Sequence, residues 1–183
     1  HSAAGDVPAR FVVNAAGVAC ADVAALLETP AFSIHPSRGQ YFLLDTSQGD
    51  IVDHGIFQCP TEQGKGVLVS PTVHGNLIVG PSAEPADNLD TTAEVLEDVR
   101  VTALKSVPTI NFRESIRNFA GLRAVADSSD FIVGESAQNP GFFYIAGIKS
   151  PGLTAAPAIA LDMVRLLREA GLPVTQVSEG TGF

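Results

Sequence analysis

Ile145-Ala146-Gly147-Ile148-Lys149-Ser150-Pro151-Gly152-Leu153-Thr154-Ala155-Ala156-Pro157 is the stretch that decides how this chain folds. The apolar run Phe142 to Ala146 empties into a Gly/Pro loop. Beyond the loop, Ile159, Met163, Leu166 and Leu167 recur at helical spacing until Gly171-Leu172-Pro173. The pattern predicts strand, tight loop, long helix. At the loop, backbone N–H groups without intrahelical acceptors meet the positive end of a helix dipole. Such a point suits an anion or an electron-rich ring edge. On composition alone, a plain strand-to-helix connection in any α/β protein fits the same description.

A second strand-and-turn stands near the N-terminus. Phe11-Val12-Val13 has the apolar, β-branched character of a buried strand and leads into Asn14-Ala15-Ala16-Gly17. Small residues there permit close backbone approach, and simple core packing of the two alanines is equally open. Asp22 to Leu27 predicts a short helix ended by Pro30.

Between these two units the pattern changes. Ile34 to Asp45 predicts a turn at Ser37-Arg38-Gly39-Gln40 followed by the strand Tyr41-Phe42-Leu43-Leu44. Val67 to Val69 and Leu77 to Gly80 form a hairpin about Val73-His74-Gly75-Asn76. Thr91-Thr92-Ala93-Glu94 has the form of a capped helix start, and that helix stops before Pro108. Ser115 to Ala126 and Asp130 to Val133 read as strands. The order predicts an α+β fold with a mixed, largely antiparallel sheet and packed helices.

With 183 residues and 45% hydrophobic content, the chain is long enough for one substantial core. A net charge of -9 and the absence of a basic run argue against nucleic acid as a partner. No uninterrupted apolar run reaches the roughly 20 residues of a transmembrane helix. Cys20 and Cys59 lack CxxC or zinc-ligand spacing, so they read as reduced thiols, Cys59 as a buried one, and no metal site is expected. The expected setting is cytoplasmic, with contact at a membrane surface left open. His1-Ser2-Ala3 looks like the scar of a cleaved tag, and Val174 to Phe183 like the start of a linker.

Five segments, FVVNAAG (Phe11–Gly17), PSRGQY (Pro36–Tyr41), NLIVGP (Asn76–Pro81), FAGLR (Phe119–Arg123) and the GIKSPGLTAAPA loop, occur in the order seen in the D-amino-acid oxidase superfamily. Within it the chain most resembles the FAD-dependent glycerol-3-phosphate dehydrogenases and L-2-hydroxyglutarate oxidases. The likeness covers roughly residues 10 to 172. Residues 1–9 then read as a remnant or linker, 10–172 as the substrate and flavin-ring portion, and 173–183 as a link onward. In that family FAD lies between a Rossmann-like half carrying GxGxxG and a sheet-bearing substrate half. This sequence has no GxGxxG. The resemblance therefore implies a partner segment that supplies the pyrophosphate site, and a chain that alone neither retains FAD nor turns over.

By the same resemblance, Ala15, Ala16 and Gly17 pass near the cofactor. Gly147, Ile148, Ser150, Gly152, Leu153 and Thr154 face its isoalloxazine ring. Arg123 stands where family members bind the substrate's carboxylate or phosphate, a task that suits a planar guanidinium fork. Lys149 is a second candidate cation or else a surface lysine. Arg113 and Arg117 either add to a positive pocket or form surface salt bridges with Glu114 or Asp127. Tyr41 follows a family turn that approaches the flavin and is expected to line the pocket. The implied activity is oxidation of a small anionic alcohol, glycerol 3-phosphate or a 2-hydroxy acid, by hydride transfer to FAD. Amine or amino-acid oxidation, and a non-catalytic binding module, are the alternatives.

Overall fold

In the computed structural model, residues 5–59 and 66–173 are described. The tag-like residues His1-Ser2-Ala3 and the tail Val174 to Phe183 lie outside them. The chain divides into two compact units, one made of residues 1–34 and 124–183, the other of residues 35–123.

The first unit carries a three-stranded sheet in the order β1 (Val12–Asn14), β9 (Phe142–Ala146), β8 (Ile132–Glu135). β1 runs parallel to β9, and β8 pairs with β9 antiparallel. Helix α1 (Cys20–Ala25) follows β1, and α3 (Gly152–Glu169) follows β9 and packs on β8. Ala24, Phe142 and Tyr144 form a small buried cluster with Phe32 and Ile132 against it. Phe32 and Phe142 both meet the Tyr144 ring edge-on, at 5.2 and 5.1 Å between centroids. Such contacts orient a core as well as fill it.

β1 was expected to be buried, yet Val12 and Val13 are 48% and 38% exposed and only Asn14 is inside. The reason is topological. Among the described residues β1 pairs with β9 alone, so its outer edge is unpaired.

The second unit is built on a six-stranded sheet. Along it run β3 (Ile56–Phe57), β4 (Leu68–Pro71), β5 (Leu77–Gly80), β2 (Ile34–Leu44) and β6 (Glu84–Pro85), while β7 (Ser115–Ala126) also pairs with β2. β3, β4, β5 and β2 are successively antiparallel, as is β6 against β2. Helix α2 (Ala93–Ser106) lies on β5. Alternation places Leu44, Val69, Leu77 and Val79 on one sheet face, where Leu96, Val99 and Ala103 of α2 close the core. The predicted hairpin, the helix before Pro108 and the largely antiparallel α+β character all stand.

Three local expectations change. Arg38-Gly39 is no turn: residues 34 to 44 are one continuous strand, because Gly39 leaves space that a side chain from β7 occupies while the backbone stays paired. Cys59 is exposed, since it leaves the sheet just past the edge strand β3. Thr92 precedes α2 but its hydroxyl does not cap the helix. Instead it lies 3.4 Å from Gln40 Nε2, while Thr92 N–H donates to Gln40 Oε1 at 2.8 Å.

Candidate functional site

Parallel pairing fixes one part of the site. Val12 stands beside Phe142 and Asn14 beside Tyr144, so the carboxyl ends of β1 and β9 open at one edge of the sheet. Adjacent strands lie about 4.8 Å apart. The Ala15-Ala16-Gly17 turn and the Gly147 to Pro151 loop therefore emerge side by side. In open α/β sheets, ligands settle beyond the carboxyl ends of parallel strands. Every predicted cofactor residue stands on one of these two connections or on the first turn of α3.

Asn14, which sequence reasoning passed over, shapes the first connection. Its Nδ2 donates to the Cys20 carbonyl at 2.8 Å, and its Oδ1 accepts from the Ala16 N–H at 3.3 Å. A polar side chain that is 3% exposed is tolerable there because both its ends are satisfied. The readable signal was an asparagine ending an apolar run. Ala15, Ala16 and Gly17 are exposed and lie outside the core of this unit. Gly17 sits at φ +59 with open space where a Cβ would go. Burial pushes the Cys20 thiol up, so it is no nucleophile.

The second connection is a turn of the backbone on itself. Gly147 has φ +69, and a Cβ there would stand 2.8 Å from that of Ala126. Lys149 N–H donates to Gly147 O at 3.0 Å, and Gly152 N–H to Lys149 O at 2.6 Å. The Gly152 amide is thus engaged, and its hydrogen side chain matters instead: a Cβ would meet Ile148 Cγ2 at 2.5 Å. Ala155 N–H reaches Pro151 O at 3.0 Å. The amides of Leu153 and Thr154 have no acceptor among the described residues. No acidic side chain lies in the first turn of α3, and Ser150, Leu153 and Thr154 are exposed. Two unclaimed N–H donors at a positive helix end fit the electron-rich edge of a flavin ring.

In the second unit, Arg123 is half-buried near the end of β7. Its Nη2 donates to Ser82 O at 3.1 Å and its Nη1 to Ser37 O at 3.5 Å. Three other arginines are paired with carboxylates: Arg38 with Glu84 at 3.0 Å, Arg100 with Glu97 at 2.6 Å, Arg165 with Glu169 at 3.0 Å. Among the described residues, no carboxylate pairs with Arg123. It keeps its charge and several N–H donors for something else.

Beside it lies a closed polar network. Gln40, fully buried, donates to Glu84 Oε1 at 2.7 Å, and Arg38 reaches both Glu84 and Asn88. Burial pushes the Glu84 carboxyl up, but the hydrogen bonds from Gln40 and Arg38 and the Arg38 charge outweigh it and hold the group below its ordinary value. Tyr41 stacks on Phe119 with centroids 5.0 Å apart and planes 5° from parallel. Lys149, in the first unit, is half-buried and has no ion pair among the described residues. Arg113 and Arg117 are exposed, and among the described residues neither makes the salt bridge that was one of their readings. Among the described residues no His, Cys, Asp or Glu cluster could hold a metal, and no helix is long and apolar enough to cross a membrane.

Known proteins share this fold. The chain belongs to the FAD dependent oxidoreductase family, whose pattern matches residues 1–166. It is 46% identical over 162 residues to a glycerol 3-phosphate dehydrogenase of Caloramator mitchellensis, covering 87% of this chain and 34% of that protein. The solved structure of dithionite-reduced L-alpha-glycerophosphate oxidase from Mycoplasma pneumoniae with FAD bound superposes at a TM-score of 0.80 and 35% identity, over 86% of this chain and 42% of that one. Glycine oxidase from Geobacillus kaustophilus superposes at 0.81 over 98% of this chain and 48% of its own, at 19% identity, which is a likeness of fold alone. The chain thus spans between a third and a half of the proteins it matches. The superfamily named from five short segments is the right one, and FAD is the family's cofactor.

Proposed function

We propose that residues 10–172 form the substrate and flavin-ring portion of an oxidoreductase that oxidises a small anionic alcohol, glycerol 3-phosphate or a 2-hydroxy acid, with FAD as hydride acceptor. The observation that carries the reading is Arg123: a half-buried guanidinium held by two carbonyl oxygens with no carboxylate paired to it among the described residues. An uncompensated buried charge is costly, and a phosphate or carboxylate ligand removes that cost. Within the same unit Tyr41, braced by Phe119, supplies a rigid apolar wall, and Lys149 of the first unit is a further candidate cation. The turn Ala15-Ala16-Gly17 gives close access to the cofactor. In the second connection, Gly147, Ile148, Ser150 and Gly152 set the loop, and the amides of Leu153 and Thr154 would donate to a bound flavin ring and stabilise negative charge on it. The two glycerol 3-phosphate relatives support the alcohol class.

Anaerobic mixing of the full-length protein with each substrate class tests this. Glycerol 3-phosphate or a 2-hydroxy acid should bleach the flavin absorbance, and Arg123→Ala should raise KM about 10- to 100-fold, the worth of a charge-assisted hydrogen-bonded pair. Bleaching by glycine or sarcosine alone would assign the chain to amine oxidation. A colourless full-length protein would leave a binding module.

A further inference from the structure

We propose that Gly39 is a positioning residue for the substrate anion, because its missing side chain creates the slot in which the Arg123 guanidinium is held; this rests on the reading of Arg123 given above. Three pieces of chain converge there. β2 brings Ser37 and Gly39, the segment after β5 brings Pro81 and Ser82, and β7 brings Arg123. The Ser37 carbonyl accepts from Nη1 at 3.5 Å and the Ser82 carbonyl from Nη2 at 3.1 Å. A Cβ on Gly39 would run into Nη2, would come within 2.9 Å of Arg123 Cζ, and would also stand 2.9 Å from Pro81 Cβ. Gly39 has no positive φ. Its requirement for glycine is therefore one of space, and that space is bounded by the Arg123 guanidinium and, at 2.9 Å, by Pro81 Cβ.

The consequence is a separation of stability from function. The atoms that must give way are mainly the far end of a long side chain, so the strand can keep its pairing while the guanidinium swings aside. What is lost is the two-carbonyl grip. Neutral carbonyls orient the fork without cancelling its charge, whereas a carboxylate in their place would neutralise it. A reacting group displaced by about 1 Å can cost on the order of 100-fold in rate or affinity.

A double-mutant cycle in the full-length protein tests this, read by KM for glycerol 3-phosphate, by kcat, and by the dissociation constant of inorganic phosphate from the perturbation of flavin absorbance. Gly39→Ala should weaken phosphate and raise KM at least 10-fold, with kcat changed less and the flavin spectrum unaltered. In an Arg123→Ala background the same substitution should add less than 2-fold, since Pro81 alone remains to be displaced and it carries no group that binds the anion. Equal penalties in both backgrounds would overturn the proposal. If Arg123→Ala itself leaves phosphate binding and KM unchanged, it is the anion-anchor reading that fails. Should Gly39→Ala not fold, Arg123→Lys decides: it keeps the charge but not the fork, so wild-type affinity in that variant would overturn the positioning role and a loss of at least 10-fold would support it.

Discussion

Glu84 shows how a single ionised side chain is tied to folding. Gln40 and Arg38 favour its charged form and hold its carboxyl below the ordinary value near 4.5. The stabilisation is therefore complete above that ordinary value and is lost as the pH falls through the lower, folded-state value. Glu84→Gln should lower the Tm at pH 7 and make the fall of Tm between pH 5 and pH 3 shallower than in the wild type, as followed by circular dichroism. An unchanged slope would mean that other carboxylates carry the acid sensitivity. Asn14 makes a companion case without charge. Truncation to alanine leaves the Cys20 carbonyl and the Ala16 amide without their partner, a loss of about 1–3 kcal/mol. Chemical denaturation should register it, together with faster amide exchange at Ala16.

At the scale of elements, the connection from β9 to α3 is the most constrained. Gly147 combines a left-handed φ of +69 with a Cβ position 2.8 Å from Ala126. Gly147→Ala should therefore destabilise by more than the roughly 1 kcal/mol of the backbone effect alone, and the same substitution at the exposed Gly121, where nothing lies within 4 Å, should cost little. Comparative Tm values check the contrast. This connection was also the most legible part of the sequence. An apolar run, a Gly/Pro loop and a 3.6-residue period are all local signals, so strand, loop and helix fell within a residue or two of their observed bounds. The hairpin β4–β5 was legible for the same reason. Arg38-Gly39 misread as a turn because glycine has two uses, backbone freedom and empty space, and only a residue more than eighty positions away, Arg123, distinguishes them. β1 misread as buried because periodicity reports what a strand is made of, and not how many neighbours it has. Asn14 escaped notice since its bonds run to backbone atoms, which leave no trace in side-chain pattern.

Both units of the whole molecule build a core and leave apolar side chains uncovered, among them Phe57, Val73 and Leu89 in the second. The second has a continuous core between sheet and helix, from Phe42 through Leu77 and Val99 to Ile110. The first leaves Val12, Val13, Leu153, Leu161 and Val164 exposed, with Leu153 at 94% and Leu161 at 73%. Uncovered apolar side chains make an interaction site where they adjoin one another. The chain also spans only 34% to 48% of the proteins it matches and contains no GxGxxG. The amides of Leu153 and Thr154 and the small-residue turn offer contacts to one end of a cofactor, while a dinucleotide also needs its pyrophosphate held. The 183-residue chain produced alone should therefore release no flavin on denaturation and should bind an apolar fluorescent dye such as ANS. A longer polypeptide that adds a strand, GxGxxG and a helix should purify yellow and bind less dye. The two readouts are independent: a yellow short chain would place the whole flavin site within these residues, and weak dye binding by a colourless one would show that Val12, Val13 and Leu161 are covered by the chain itself.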